Sequence, residues 1–150
     1  MEIKNELPQF NEEKCLIIVA WEHKSKFYIA ENKNIILCDL IEVEKAEFTD
    51  TKEWKFIKSW WWWDFHSWSV NEYKKQYDQK TFFNILEEKV NSIYEKENFK
   101  WIYLFAPQYM LSGIELAIGK FKQNIKMLEV WNLVNHHPFK ILEKIWKNNI

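Results

Sequence analysis

Apolar residues run without a break from Cys15 to Trp21 and again from Trp101 to Pro107, the pattern of strands covered on both faces. Two stretches rich in β-branched and aromatic residues, Lys26–Ala30 and Ile35–Val43, follow the first run. The polar turns before them, Glu22–Ser25 and Glu31–Asn34, are short enough for hairpins, so the first three strands are expected to form an antiparallel meander. The period then changes. From about 71 to 98, Phe83, Leu86, Val90 and Ile93 fall three, four and three apart, which is one apolar stripe on a long helix. After the second run, Pro107 suits the first turn of a helix carrying Leu111, Ile114 and Ile118, and Gly119 is placed to end it. Ile125–Trp131 reads as a last strand and Phe139–Trp146, behind Pro138, as a short terminal helix.

The resulting order is βββαβαβα. Strands joined through a helix lie parallel, so strands one, four and five should run together with strands two and three hairpinned outside them. This predicts a three-layer α/β/α fold around a mixed five-stranded sheet, order 3-2-1-4-5 with strand two antiparallel, which is the layout of ribonuclease H-like proteins. In such sheets ligands sit beyond the carboxyl ends of the strands. That edge holds Glu22 and His23 after strand one, Gln108 and Tyr109 after strand four, and Asn132, Asn135 and His136 after strand five.

A chain of 150 residues with 47% hydrophobic and 29% charged residues has globular composition and the size of one domain, spanning 1–150. Neither apolar run approaches the roughly 20 residues of a membrane span, and the N-terminus lacks the features of a signal peptide. A cytoplasmic protein is expected, or a mitochondrial matrix protein if the gene is organellar. Cys15 and Cys38 form no metal or redox spacing, and both read as buried reduced thiols.

The net charge of −1 hides an asymmetry: six lysines face eleven acids in residues 1–50, but seven face three in residues 100–150. All 21 cationic residues are lysines, which lack the guanidinium fork that grips phosphate bidentately. Strong general nucleic-acid binding is therefore disfavoured. Any anionic partner should meet the C-terminal lysines, Lys120, Lys122, Lys126, Lys140 and Lys144 among them.

The most unusual stretch is a Trp-rich insertion at about 46–70, with Trp60, Trp61, Trp62 and Trp63 in a row and Trp68 soon after. Packing over the sheet or self-association, a partner protein, and a stacking platform for nucleobases are all open readings. Four consecutive indoles cannot all enter one core, so an interface role is expected for some of them. His136 and His137 lack companion ligands nearby in sequence, and Asp64 with His66, or Glu22 with His23, accompany no nucleophile elbow. Strands one and four carry no acid with which to assemble a two-metal nuclease site. No cofactor or metal is expected.

Phe82-Phe83-Asn84-Ile85-Leu86, Leu104-Phe105-Ala106-Pro107 with Leu111-Ser112-Gly113, and Asn132-Leu133-Val134-Asn135-His136 with Pro138 carry a family resemblance. Over residues 81–145 the chain resembles the bacterial "host attachment protein" family, related to the middle domain of archaeo-eukaryotic peptide-release factors. Leu16–Ala20 and Lys26-Phe27-Tyr28 fit the family's opening strand and hairpin. Asn132 stands where that family usually has an acid, and Asn135 or Val134 where it has threonine. The glycines, Gly113 and Gly119, cannot form the Gly-Gly-Gln loop that reaches peptidyl-tRNA. The resemblance implies a non-catalytic, translation-associated module that contacts the ribosome or RNA. The alternative is a structural subunit that assembles through the Trp-rich segment.

Overall fold

A computed structural model describes residues 1–21, 24–42 and 67–148, and for 67–78 the helical backbone alone. The strands are β1 (Cys15–Trp21), β2 (Lys24–Glu31), β3 (Asn34–Glu42), β4 (Trp101–Ala106) and β5 (Ile125–Val130). The helices are α1 (Ser67–Glu97), α2 (Gln108–Ala117) and α3 (Pro138–Asn148), with a 3₁₀ segment at Gly119–Asn124. The sheet order is β3-β2-β1-β4-β5. β1 pairs antiparallel with β2 and parallel with β4, and β4 pairs parallel with β5. This is the α/β layout that the two apolar runs predict.

Alternation along β1 explains the layers. Leu16, Ile18 and Ala20 enter one core with Phe82, Leu86 and Val90 of α1 and Met110 and Ile114 of α2. Cys15, Ile17 and Val19 enter the opposite core with Ile141, Leu142 and Ile145 of α3 and Leu133 and Val134 of the loop before it. A strand with apolar side chains on both faces needs a helical layer on each.

Several details depart from the sequence reading. Among the described side chains of α1 the fully buried aromatic is Phe82; Phe83, which the stripe includes, is only partly buried. Spacing of four from Phe82 to Leu86 turns Phe83 toward α2, where a Cβ on Gly113 would overlap its ring. Gly119 does not end α2 in a left-handed turn, because no glycine among the described residues has positive φ. The Ile118 N–H donates to the Ile114 carbonyl and the Phe121 N–H to the Ile118 carbonyl, which tightens the chain into the 3₁₀ segment. Phe121 then packs between Tyr94 and Phe99, at ring distances of 5.0 and 5.6 Å. Cys38 is exposed while Cys15 is buried, because the β2–β3 register shifts between Phe27 and Tyr28 and leaves Cys38 as the extra residue of a bulge.

The first ten residues carry no periodic pattern, yet they are ordered by backbone pairing to the β2–β3 hairpin. Asn32 and Lys33 form its two-residue loop with φ of 48° and 65°, the positive pair a type I′ turn requires. The Ile3 N–H donates to the Lys33 carbonyl (2.6 Å) and the Ile35 N–H to the Met1 carbonyl (2.9 Å), which seats Ile3 in the second core. No described helix is long and apolar enough to cross a membrane. Trp60, Trp61, Trp62 and Trp63, with most of the Trp-rich stretch, lie outside the described residues; Trp68 lies in the first turn of α1.

Two substitutions test this packing. Val19 is fully buried in the central strand, so Val19→Asp places an unpaired charge there and is expected to abolish the cooperative melt. Gly113→Ala should destabilise by about 1 kcal/mol, overpacking against Phe83 outweighing the helix propensity gained. In a Phe83→Leu background the same change should become neutral or stabilising, as read by denaturant melts. An equal cost in both backgrounds would place the strain elsewhere.

Candidate functional site

At the carboxyl ends of the parallel strands the chain leaves in two directions. After β4, Pro107 in extended conformation turns the chain into α2 on the first core, and Gln108 and Tyr109 stand exposed in its opening turn. After β5 the chain crosses to the other face, where buried Leu133 and Val134 anchor the loop. The His136 N–H donates to the Leu133 carbonyl at 3.0 Å, closing a turn that leaves Asn132, Asn135 and His136 exposed. Glu22 and His23, after β1, lie outside the described residues.

The structure brings some of these residues together and keeps others apart. A hollow of about 200 Å³ opens beside Trp131, the residue after β5, and is lined by His136 and by Lys140, Lys144 and Lys147 of α3, with Leu133 and Glu143. Lys144 Nζ lies 3.4 Å from the centre of the Trp131 ring, a close cation–π contact. Lys140 pairs with Glu143 at 3.5 Å. Gln108, Tyr109, Asn132 and Asn135 do not line this hollow. His137 faces another way: its Nδ1 accepts from the Phe139 N–H at 3.3 Å, and its ring packs edge-on to Phe139 at 4.9 Å.

The other predicted lysines occupy the opposite end of β5. Lys120 and Lys122 lie in the 3₁₀ segment before the strand. Lys126, its second residue, lies over the Trp101 ring at 5.4 Å, as does Lys100. Lys126 and Trp131 are five positions apart along the chain, about 17 Å at about 3.3–3.4 Å per residue. The cationic groups therefore mark both ends of one sheet edge.

Trp131 escaped the sequence reading as a site residue, and Lys147 falls within the lysine-rich C-terminal third without being singled out. Residues 136, 140, 143, 144 and 147 follow the three-and-four spacing of one helix face, and that signal points to the lysines. Trp131 reads there only as the end of a strand.

A second hollow, about 340 Å³, lies at the strand-start end between Phe10, Glu13, Cys15, Tyr103 and Lys126. Glu13 accepts hydrogen bonds from Lys100 Nζ (2.7 Å) and Trp101 Nε1 (2.6 Å), and the Lys100 contact leads in lowering its pKa. Burial pushes the Cys15 thiol up to about 12 and the Tyr103 phenol likewise to about 12. Both are protonated at neutral pH, so Cys15 offers no thiolate there. Among the described residues, no three or more His, Cys, Asp or Glu side chains gather as metal ligands would.

No protein-family model matches the chain and no curated protein matches its sequence.

The buried thiol makes an alkaline prediction. Raised from 9.0 in the folded state, the Cys15 pKa confers stability that is complete below about pH 9 and lost as pH rises through about 12. Cys15→Val should remove up to one proton, about 1.4 kcal/mol per pH unit, from the slope of unfolding free energy above pH 9. An unchanged slope would mean that the thiol ionises alike in both states.

Proposed function

We propose that the chain is a non-catalytic, translation-associated module, similar in plan to a release-factor middle domain, that contacts ribosomal or other RNA through the β5 edge. The observation that carries this reading is the placement of Lys120, Lys122 and Lys126 at one end of β5 and Lys140, Lys144 and Lys147 at the other. Two lysine groups about 17 Å apart along one strand can meet separate phosphates of one backbone. Lysines act there as point charges, which suits binding that positions a partner without reading its sequence.

A second reading, a subunit that assembles through the Trp-rich segment, draws support from β3. That edge strand leads into the segment and exposes Ile36, Leu37 and Leu40. Light scattering on the eluting protein measures its assembly state directly.

For the RNA reading, ribosome co-sedimentation over a salt series compares two triple variants. Lys120, Lys122 and Lys126 changed to Gln, and Lys140, Lys144 and Lys147 changed to Gln, should each weaken binding. Each should also flatten the log–log salt slope by about two, at about 0.7–0.9 per lost phosphate contact. Two triple variants that sediment with the unaltered salt dependence would overturn the reading.

A further inference from the structure

Trp131 is held more firmly than an ordinary surface tryptophan. It follows the last residue of β5, and the chain after it is pinned by Leu133 and Val134, which are 2% and 3% exposed. Lys144 covers one face of its ring from 3.4 Å, and the residue still keeps 43% of its surface exposed. Exposed indoles on mobile chains lose entropy when a ligand stacks on them; this one is already placed.

Beside the indole, the hollow carries three lysines against one glutamate. Its volume of about 200 Å³ falls short of the roughly 300–1,000 Å³ typical of pockets that enclose a drug-sized ligand. It has room for a phosphate and the sugar oxygens next to it, with the attached base left outside. Trp131, among the residues that line the hollow, offers an aromatic surface there.

We infer that Trp131 is a base-stacking site for single-stranded RNA: one unpaired base lies against the exposed part of the indole, and its phosphate sits in the hollow against Lys140, Lys144 and Lys147. This assignment rests on the RNA-contacting reading and names the form of RNA that the β5 edge takes. Bases inside a duplex have their faces covered by their neighbours, so a strand must be unpaired, or locally splayed, to present one. Stacking on an aromatic ring is tolerant of base identity, in keeping with an edge that reads no sequence. Glu143, the acid among the lining residues, is paired with Lys140 and leaves the hollow net positive.

The test is fluorescence anisotropy with a labelled 12-nucleotide oligoadenylate and a labelled 12-base-pair RNA duplex, with inorganic phosphate as competitor. Trp131→Leu keeps apolar bulk without the π-face, and should weaken single-strand binding about 5- to 150-fold with an unchanged salt slope. Trp131→Phe should retain most of the affinity, and duplex binding should be equal in all three proteins. A parallel measurement avoids relying on a stable leucine variant. In protein labelled with 5-fluorotryptophan, the fluorine resonance assigned by its loss in Trp131→Phe should shift more with the oligoadenylate than with duplex or phosphate, which reach Lys144 but present no base to the ring. Unaltered single-strand affinity in Trp131→Leu, or a Trp131 resonance that ignores the oligoadenylate, overturns the stacking site. If lysine-dependent binding persists in that case, the broader RNA reading stands. If the unaltered protein binds neither RNA, both fall.

Discussion

β1 has no face that can meet water. Its two edges are taken by β2 and β4, and its side chains alternate between two apolar cores. Both faces of the sheet must therefore be roofed, and α1 with α2 on one side and α3 on the other do so. The same demand sends the connection after β4 to one face and the connection after β5 to the opposite one. The loop carrying Trp131 and His136 lies where it does because α3 has to reach the second core.

Charge is sorted by the same frame. The acids of the first third are partly spent on lysines near the strand starts. Lys14 bridges Glu97 and Glu31 at 3.1 and 3.3 Å, and Glu13 engages Lys100. On the outer strands, Asp39 holds Lys89 of α1 at 2.9 Å and Glu42 holds Lys24 at 3.1 Å. Exposed pairs of this kind contribute about 0–1 kcal/mol each, so their effect is more on where unbalanced charge remains than on stability. Around the hollow beside Trp131 the only such pair among the described residues is Lys140 with Glu143, and the balance stays positive.

What could be read in advance follows from what makes a local signal. β1 and β4 were legible because continuous apolar runs bounded by polar residues admit few other readings, and α1 and α2 because their buried positions repeat with the helical period. Ile3 was not legible: it is seated by backbone bonds to Lys33, and backbone pairing leaves no trace in side-chain pattern. The bulge at Cys38 depends on the partner strand's register and the 3₁₀ segment after α2 on the Tyr94–Phe99–Phe121 cluster, both non-local. In the candidate site, the lysines of α3 had a visible spacing. The position of Trp131 against Lys144 needed the fold, since the loop and nearly two helical turns lie between them. The four-tryptophan run was the most conspicuous sequence feature, and it lies outside the described residues.

The pairing of β1 with β4 also governs the time course of folding. β1 finds β2 through a short connection, and β2 finds β3 through a two-residue turn, so the meander closes locally. β4 reaches β1 only after β2, β3, α1 and everything between them have been spanned, and that closure costs chain entropy before any contact repays it. Until it happens, one edge of an all-apolar strand has no partner. An apolar strand edge without a partner is open to pairing with other chains until then, and α1, the element directly before β4, shortens the span to be closed once it is helical.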